Sequence, residues 1–283
     1  MDTIRLDGRL LANQIQEQLK AEVQNLPRTP HLAVVFVGNN PASSIYVRMK
    51  TRVAEAVGIQ VSVHNLTENS TTEDVTLLVQ KLNLTPEVDG ILVQLPLPKH
   101  LDTNTIIETI LPQKDVDGLT SKNQGGLMTG YPTLLPCTPL GCLRLIKSAR
   151  SDLTGLKAVV VGRSRLVGRP LAQLLLNENC TVAQAHSYTQ NLPDICANAD
   201  ILVSATGVPG LIKRNFVKYG AIVVDVGISK TLEGHIAGDV DAASVMGQAG
   251  WLTPVPGGVG PMTVIMIMSN MVNIVKFGLQ NGA

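Results

Sequence analysis

The sequence has few cysteines and no excess of either charge. It contains 4 Cys in 283 residues, without the C-x-x-C spacing of zinc or redox sites, so we predict neither a disulfide framework nor a metal site and favour a reduced, cytoplasmic compartment. Lys plus Arg number 23 against 22 Asp plus Glu, and no basic run occurs. The electrostatic signature of nucleic-acid binding is therefore missing, and a small-molecule partner is favoured.

Long apolar runs are also missing. Charged residues interrupt residues 1–11, which do not form the apolar core of a signal peptide. The most apolar late segment, residues 262–277, is broken by polar residues and is too short to span a bilayer. We therefore predict no membrane association and interpret the late segment as a buried helix.

The composition that is present, 45% hydrophobic and 16% charged, is that of a folded globular protein. Short β-branched runs alternate with helical segments, which is typical of parallel α/β units. The length favours two domains. We predict two α/β lobes with a cleft between them: residues 1–137, with the C-terminal helix 264–283 packing back, and residues 138–263, a Rossmann-like domain with a parallel sheet. The Gly- and Pro-rich residues 112–139 mark the junction.

The predicted strands are 31–37, 59–64, 90–94, 157–161, 181–185, 201–204 and 221–226. The predicted helices are 10–23, 41–57, 72–82 and 171–176, with a last one from 262.

Residues 157–168 predict a strand, a phosphate-binding turn and a helix start. Gly162 lets the backbone approach a phosphate, amides at the helix start receive its charge, and Arg163 and Arg165 add positive charge. The usual G-x-G-x-x-G is not met, because Ser164 stands where the second glycine would be. A plain strand-to-helix turn is the alternative.

The following strand indicates the cofactor. It ends at His186 and Ser187, whereas an acid normally holds the ribose hydroxyl of NAD at this place. Ser187 can donate a hydrogen bond to the extra phosphate of NADP, and Arg163 can neutralise it. The sequence therefore favours NADP.

Four features of the remaining chain suggest a reaction centre. Tyr46 and Lys50 are spaced to meet on one helix face, although an isolated pair of this kind is usually a solvated surface pair. Gln94 lies at the carboxyl end of a strand, where ligands of α/β sheets bind. Asp117 can accept paired hydrogen bonds from a heterocycle, and residues 254–263 form a glycine-rich loop before the last helix. Taken singly, each of these could be an ordinary turn or packing feature.

Together and in this order, these segments resemble one family, the bifunctional methylenetetrahydrofolate dehydrogenase/cyclohydrolases. The resemblance covers nearly the whole chain and is weakest at residues 122–135. The matching segments are residues 38–50, 89–98, 114–118, 136–139, 162–164 and 254–263.

The resemblance implies NADP-dependent oxidation of 5,10-methylenetetrahydrofolate and hydrolysis of the product to 10-formyltetrahydrofolate. It also implies a cytoplasmic homodimer of one-carbon metabolism that supplies purine, histidine and methionine biosynthesis. It assigns Lys50 as the catalytic lysine, Tyr46 as its neighbour and stacking surface, Gln94 as the lysine's partner and Asp117 as the pterin anchor. The implied substrate contacts are Tyr46, Lys50, Val93, Gln94, Leu95, Asp117, Pro256, Gly257, Gly258 and Gly260; the implied NADP contacts are Gly162, Arg163, Ser164, Ser187 and Ile228.

Two alternatives stay open at this stage. One is an NADP-dependent dehydrogenase on a related two-lobe scaffold, such as a shikimate dehydrogenase-like protein, against which Asp117 and the Pro256 loop argue. The other is a non-catalytic NADP-binding regulator, whose expected mark would be the loss of Lys50 or Gln94. Both residues are present.

Overall fold

The computed structural model describes residues 2–131, 134–230 and 234–278, and the chain divides into two compact units. The six-stranded unit contains Met1–Asn13 and Thr138–Thr263, and the three-stranded unit contains Gln14–Cys137 and Val264–Ala283. The boundaries fall within α1 (Gly8–Gln24) and α10 (Val259–Lys276) and at the start of α6 (Cys137–Ala149).

Three parallel strands form the centre of the three-stranded unit. They are β2 (His31–Val37), β3 (Gln60–Leu66) and β4 (Gly90–Val93). Their order is β3-β2-β4, with β3 at one edge. Side chains of β2 and β4 are largely buried, as expected for strands covered on both faces by helices. The helices of this unit are α2 (Pro41–Val57), α3 (Thr72–Leu84), α4 (Thr103–Thr109), a 3-10 turn at Pro112–Lys114 and α5 (Ser121–Thr129).

The six-stranded unit contains a parallel sheet and short helices. Its sheet strands are β1 (Ile4–Arg5), β5 (Lys157–Val161), β6 (Thr181–Ala185), β7 (Ile201–Ser204), β8 (Ile222–Asp225) and β11 (Trp251–Leu252), in the order β1-β11-β8-β7-β5-β6. An antiparallel pair is formed by β9 (Ser229–Lys230) and β10 (Ile236–Ala237). The remaining helices are α7 (Gly168–Asn177), α8 (Leu192–Cys196), a 3-10 turn at Arg214–Phe216 and α9 (Ala242–Val245).

The predicted α/β class with a parallel sheet is confirmed. The domain prediction needs one correction, because residues 1–13 group with the six-stranded unit: Ile4 and Leu6 donate backbone hydrogen bonds to Gly250 and Leu252, at 2.8 and 2.9 Å. Of the predicted C-terminal segment 264–283, residues 279–283 lie outside the described residues, as does residue 1.

The predicted loop at residues 112–139 contains a helix that the sequence analysis missed. Two glycines lower the helix propensity of α5. It is held at its start by the Thr120 hydroxyl, which accepts from the Asn123 amide, and it ends at Gly130, whose φ is +84°. Residues 132 and 133 of this stretch lie outside the described residues.

The last helix, α10, is the most apolar in the part of the chain that the structure describes. By length and composition alone it could cross a membrane, with a mean hydropathy of 1.3. However, 67% of that window is buried within the protein, as in a helix that packs in a protein core.

Candidate active site

A buried lysine lies where α2 faces the end of β4. Lys50 is only 7% exposed, and its Nζ donates a hydrogen bond of 2.9 Å to Oε1 of Gln94. The Gln94 amide donates to the Val35 carbonyl at 2.9 Å, which extends the pairing of β4 and fixes the glutamine backbone. The Gln94 side chain also donates to the Leu95 carbonyl. Lys50 is therefore not the solvated surface residue that its spacing alone favoured.

Burial and the neighbouring groups shift the pKa of this amine in opposite directions. Burial lowers the pKa of Lys50, while the nearby carboxylate of Asp117 and the thiol of Cys137 act in the opposite direction. Burial likewise raises the pKa of Asp117, whereas Lys50 lowers it. A lysine with a lowered pKa releases its proton closer to neutral pH than an ordinary lysine, which is the property required of a general base.

The loop that carries Asp117 is anchored on both sides. Oδ2 of Asp115 accepts from the Thr120 amide at 2.7 Å and from Nδ2 of Asn123 at 2.9 Å. Gly118 has a φ of +68°, and a Cβ there would lie 2.6 Å from the carbonyl carbon of Leu135, so only glycine fits.

On its other side, this loop is held by a buried asparagine of α10. Nδ2 of Asn270 donates to the carbonyls of Val116 and Leu135, both at 2.9 Å. Sequence reasoning missed Asn270 as well as Cys137, whose thiol donates to the Val116 carbonyl at 3.1 Å. The signal that could have found Asn270 is its position inside an apolar helix, because buried amides are kept where they make hydrogen bonds.

Tyr46 lies one turn before Lys50 on α2 and differs from it in exposure. Its side chain is 36% exposed, so its ring offers a surface for stacking. Val93 is buried, and Leu95 is half-buried beside Gln94. Six of the predicted substrate contacts thus belong to the three-stranded unit: Tyr46, Lys50, Val93, Gln94, Leu95 and Asp117.

The turn between β5 and α7 is built around two close backbone approaches. Gly162 has a φ of +131°, and a Cβ there would lie 2.4 Å from the Ala205 carbonyl oxygen. A Cβ at Gly168 would lie 2.2 Å from the Gly162 carbonyl oxygen. Such a turn leaves room for a phosphate group to approach the backbone, so it fits the pyrophosphate of a dinucleotide.

Ser164, which replaces the usual second glycine, holds the turn that leads into the helix. Its Oγ accepts hydrogen bonds from the amides of Val167 and Gly168, at 3.1 and 3.3 Å. These are two of the amides that lack partners at a helix start. The departure from the glycine pattern is therefore structurally compensated.

Two exposed side chains lie beyond the ends of neighbouring strands. Val161 of β5 is paired with Ala185 of β6, and Arg163 and Ser187 each lie two residues further on. The Arg163 guanidinium lies 5.6 Å from the centre of the Tyr188 ring, a contact that the sequence did not suggest. One cation and one hydroxyl donor suit a phosphate on the ribose of NADP.

The other predicted ligand contacts of the six-stranded unit lie in two loops. Ile228, beyond the end of β8, is 54% exposed. Pro256 is exposed, and the Gly257 carbonyl accepts from the Arg9 amide at 3.2 Å. Gly258 is buried against Gly8. Pro256, Gly257, Gly258 and Gly260 therefore group in this unit with the predicted NADP contacts Gly162, Arg163, Ser164, Ser187 and Ile228.

A metal centre finds no support in the described ranges, 2–131, 134–230 and 234–278. They contain no group of three or more His, Cys, Asp or Glu side chains placed to hold an ion.

Comparison with known proteins identifies both parts of the chain. Residues 6–117 match the catalytic domain of tetrahydrofolate dehydrogenase/cyclohydrolase, and residues 136–278 match the NAD(P)-binding domain of the same family. The chain is 48% identical over 274 residues to the bifunctional protein FolD of Agathobacter rectalis, covering 96% of this chain and 98% of that protein. It is also 48% identical to FolD of Acetivibrio thermocellus, covering 98% of both.

Solved structures agree. The bifunctional FolD methylenetetrahydrofolate dehydrogenase/cyclohydrolase of Campylobacter jejuni has a TM-score of 0.95 at 44% identity, covering 98% of this chain and 99% of that one. The Trypanosoma brucei FolD, solved with NADP cofactor and an inhibitor, has a TM-score of 0.93 at 36% identity with the same coverage. The chain therefore belongs to the tetrahydrofolate dehydrogenase/cyclohydrolase family.

Proposed function

We propose that this protein oxidises 5,10-methylenetetrahydrofolate to 5,10-methenyltetrahydrofolate with NADP and then hydrolyses the methenyl group to give 10-formyltetrahydrofolate. The observation that carries the proposal is the buried Lys50 amine, bound to Gln94 at 2.9 Å and electrostatically coupled to Asp117. Family membership, at 48% identity to relatives named as bifunctional, supports the same reaction pair.

The oxidation requires positioning more than proton transfer. A hydride leaves a methylene held between two nitrogens, whose lone pairs stabilise the resulting cation, so no base is needed. NADP supplies the hydride acceptor when it is bound. Tyr46 would hold the substrate through its half-exposed ring, and Asp117 would accept hydrogen bonds from the pterin. Held geometry of this kind accounts for much of the rate enhancement of enzymes.

The cofactor would be held by residues of the six-stranded unit. The backbone at Gly162 would receive the pyrophosphate, and Arg163 and Ser187 would bind the additional phosphate of NADP. Ser164 would keep the helix start in place, and Ile228 would provide an apolar contact. The exposed positions of Arg163, Ser187 and Ile228 support these roles.

The hydrolysis requires a group that takes up and returns a proton. Water attacks the methenyl carbon, its oxygen forms a bond to that carbon, and its proton passes to the neutral Lys50 amine. The amine then returns that proton to the ring nitrogen as the carbon–nitrogen bond breaks, and the second proton of the water is released to solvent as its oxygen becomes the formyl oxygen. Gln94 accepts one amine hydrogen through Oε1 and so orients the nitrogen lone pair.

The remaining predicted substrate contacts are part of the proposal. Val93 and Leu95 flank Gln94 on the chain and would line the folate. Pro256, Gly257, Gly258 and Gly260 stay predicted folate contacts by resemblance. Neither alternative function gains support. The chain belongs to a different family from the shikimate dehydrogenases. A regulator without turnover would not need the buried Lys50–Gln94 pair.

We also propose that the protein is a homodimer that pairs through β3. This strand lies at the sheet edge, and Val63 at its centre is 40% exposed. Ile45 and Met49 of α2 are also exposed, and a cavity of about 420 Å³ lies between α2 and β3. Exposed edges and apolar patches of this kind are commonly covered by a partner.

The dimer is tested by sedimentation velocity. Val63→Lys is expected to give a monomer, because two like charges would face each other across the paired edges. Leu84→Lys, which changes an aliphatic residue that is 83% exposed at the end of α3, is the matched control and should leave the wild-type state. A monomeric wild-type protein would contradict the proposal.

In the cell, we place the protein in the cytoplasm, in one-carbon metabolism that serves purine, histidine and methionine biosynthesis. The reduced state of its four buried cysteines is consistent with that compartment.

The reaction is tested by supplying 5,10-methylenetetrahydrofolate with NADP or NAD. Absorbance is expected to show formation of the methenyl compound and its decay to 10-formyltetrahydrofolate, faster with NADP. Supplying the methenyl compound alone isolates the second step, since it needs no cofactor. Absence of both reactions would rule out the proposed function.

A further inference from the structure

Two buried carboxylates lie at the carboxyl end of the six-stranded sheet, and the proposed chemistry uses neither. Asp225 is the last residue of β8 and is 3% exposed, and Asp239, which follows β10, is fully buried. Ligands of open α/β sheets bind at this end of the strands. Burying two acids here is unfavourable unless their contacts compensate.

Asp239 binds the segment that follows β7. Its Oδ2 accepts from the Thr206 amide at 2.6 Å and from the Gly207 amide at 3.3 Å, and also from the Ser204 hydroxyl at 3.0 Å. Without this oxygen, three donors would lose their acceptor. The conformation of residues 205–207 therefore depends on a side chain more than thirty residues away in the chain.

The second oxygen of Asp239 faces the segment that follows β8. Oδ1 is buried and has no hydrogen-bond partner among the described residues. It lies so close to Gly227 that a Cβ there would be 2.1 Å from it. Gly227 directly precedes Ile228, a predicted cofactor contact.

Asp225 holds Asp239 in place. Its Oδ1 accepts from the amides of Gly227 and Asp239, both at 2.9 Å. Its Oδ2 accepts from the Val240 amide at 2.9 Å. The backbone around Asp239 is thus fixed before its side chain reaches residues 205–207.

The same segment supports the phosphate turn. Gly162 packs so closely on Ala205 that a Cβ would lie 2.4 Å from the Ala205 carbonyl oxygen. The segment that follows β7 therefore contacts the one that follows β5, and Asp239 lies between it and the segment that follows β8.

We propose that Asp239 is a positioning residue for NADP: by accepting hydrogen bonds from residues 204–207 and packing against Gly227, it sets the backbone on which the cofactor rests. The inference rests on the proposed function, because it presumes that the six-stranded unit binds NADP. Asp239 acts through Gly162 and Ile228 and need not touch the cofactor.

The test uses the two activities of one protein sample. Asp239→Ala should raise KM for NADP about tenfold or more, because it leaves buried donors without an acceptor. Hydrolysis of supplied methenyltetrahydrofolate needs no cofactor and should stay within about twofold of wild type. Asp239→Asn should largely restore KM, since its amide oxygen can accept the same hydrogen bonds while its NH2 group takes the place of the unpartnered Oδ1.

Asp200→Ala is the matched control. Asp200 precedes β7, at the other end of the same strand, where it accepts from the Lys157 amide at 2.9 Å and pairs with Lys218 at 2.6 Å. Its loss should leave KM for NADP unchanged. If Asp239→Ala does not fold, Ser204→Ala, which removes one donor to Asp239, should still raise that KM about threefold without affecting hydrolysis.

Three results would overturn the inference. The first is an unchanged KM for NADP in Asp239→Ala. If Asp239→Ala does not fold, an unchanged KM for NADP in Ser204→Ala has the same meaning. The second is a proportional loss of both activities, which would indicate a purely structural role. The third is an Asp239→Asn enzyme as impaired as Asp239→Ala. A wild-type protein without either activity would instead refute the proposed function.

Discussion

The two units place the side chains that we propose to be functional in opposite environments. In the three-stranded unit, Lys50 and Gln94 are buried and bonded to each other, and burial shifts the pKa of Lys50 and of Asp117. In the six-stranded unit, Arg163 and Ser187 are exposed, and the contacts that shape the turn are made by backbone. Burial in the three-stranded unit shifts the pKa of an amine and a carboxylate, whereas the six-stranded unit presents exposed polar side chains that a ligand can reach.

This difference suits the role that we propose for each region. An amine can act as a base near neutral pH only if water is kept from stabilising its charged form, which requires burial. A phosphate is recognised by donors and cations that can remain in contact with solvent. Substitutions in the first region should therefore change turnover and its pH dependence, whereas those in the second should change cofactor affinity alone.

The strongest test of this division is Lys50→Met. Methionine fills a similar volume but carries no proton, so cyclohydrolase turnover should fall by about 10²–10⁴-fold, the usual contribution of a general acid-base group. Hydride transfer, which needs no base, should suffer less. Both rates are read from the absorbance of the methenyl compound. Lys20→Met, at an exposed position of α1, is the control and should change neither rate. Intact hydrolysis in Lys50→Met would show that Lys50 is not the general base.

A smaller effect is expected from Gln94→Glu. Because the amine must be neutral to act as a base, hydrolysis should rise with pH through the pKa of Lys50, which burial holds below the usual 10.5. A carboxylate 2.9 Å from Nζ would favour the charged amine and raise that pKa. The pH–rate profile should shift to higher pH, lowering turnover at pH 7 by about tenfold or more. Gln94→Leu adds no charge and should not shift the profile upward; equal profiles for Gln94→Glu and wild type would contradict the proposed role of Lys50.

Ser187→Asp probes the other region and should have a more limited effect. The new carboxylate would repel the additional phosphate of NADP and remove a donor, so kcat/KM with NADP should fall about tenfold, while the value with NAD should hold or rise. Hydrolysis of supplied methenyltetrahydrofolate should be unchanged. Ser151→Asp, an exposed serine that lies before β5, serves as a matched control for the added charge. A fall in hydrolysis would show that the two regions are not separable.

The regular elements were predictable because the hydrophobic pattern is strong. Strands 31–37, 157–161, 181–185 and 201–204 and helix 41–57 agree with the structure to the residue, since their apolar runs are bounded by Gly or Pro or by polar residues. Helix α5 was not predictable in this way: its glycines argue against a helix, and its stability comes from tertiary contacts such as that of Asn123 with Asp115.

Candidate site residues could be named from the sequence only where the residue type itself suggests a chemical role. Lys50 and Gln94 could be named from spacing and resemblance, but their burial and mutual hydrogen bond depend on how α2 packs beside β4. Asn270 and Asp239 form their contacts across more than thirty residues of chain, and no local pattern encodes such distances. Long-range polar contacts are therefore the part of the site that only the fold reveals.

The smallest predicted effect concerns the residue that departs from the glycine pattern. If Ser164 serves mainly to hold the turn before the helix, Ser164→Ala should lower the free energy of unfolding by about 1 kcal/mol, the usual net contribution of a hydrogen bond, which corresponds to a fall in Tm of about 2–4 °C for a domain of this size. The loss follows because the Val167 and Gly168 amides, now 3.1 and 3.3 Å from Oγ, would have to find water instead. Thermal unfolding measures the first quantity, and KM for NADP measures any direct contact with the cofactor.

Ser164→Gly is the companion variant. It restores the glycine found in the regular fingerprint and removes the same hydroxyl, so the free energy of unfolding should again fall by about 1 kcal/mol. If the hydroxyl also binds phosphate, both variants should raise KM for NADP alike. If KM for NADP stays at the wild-type value in both variants, Ser164 only stabilises the turn, and the backbone alone receives the phosphate. The six-stranded unit would then bind phosphate through its backbone, in contrast to the buried side chains Lys50 and Gln94 of the three-stranded unit.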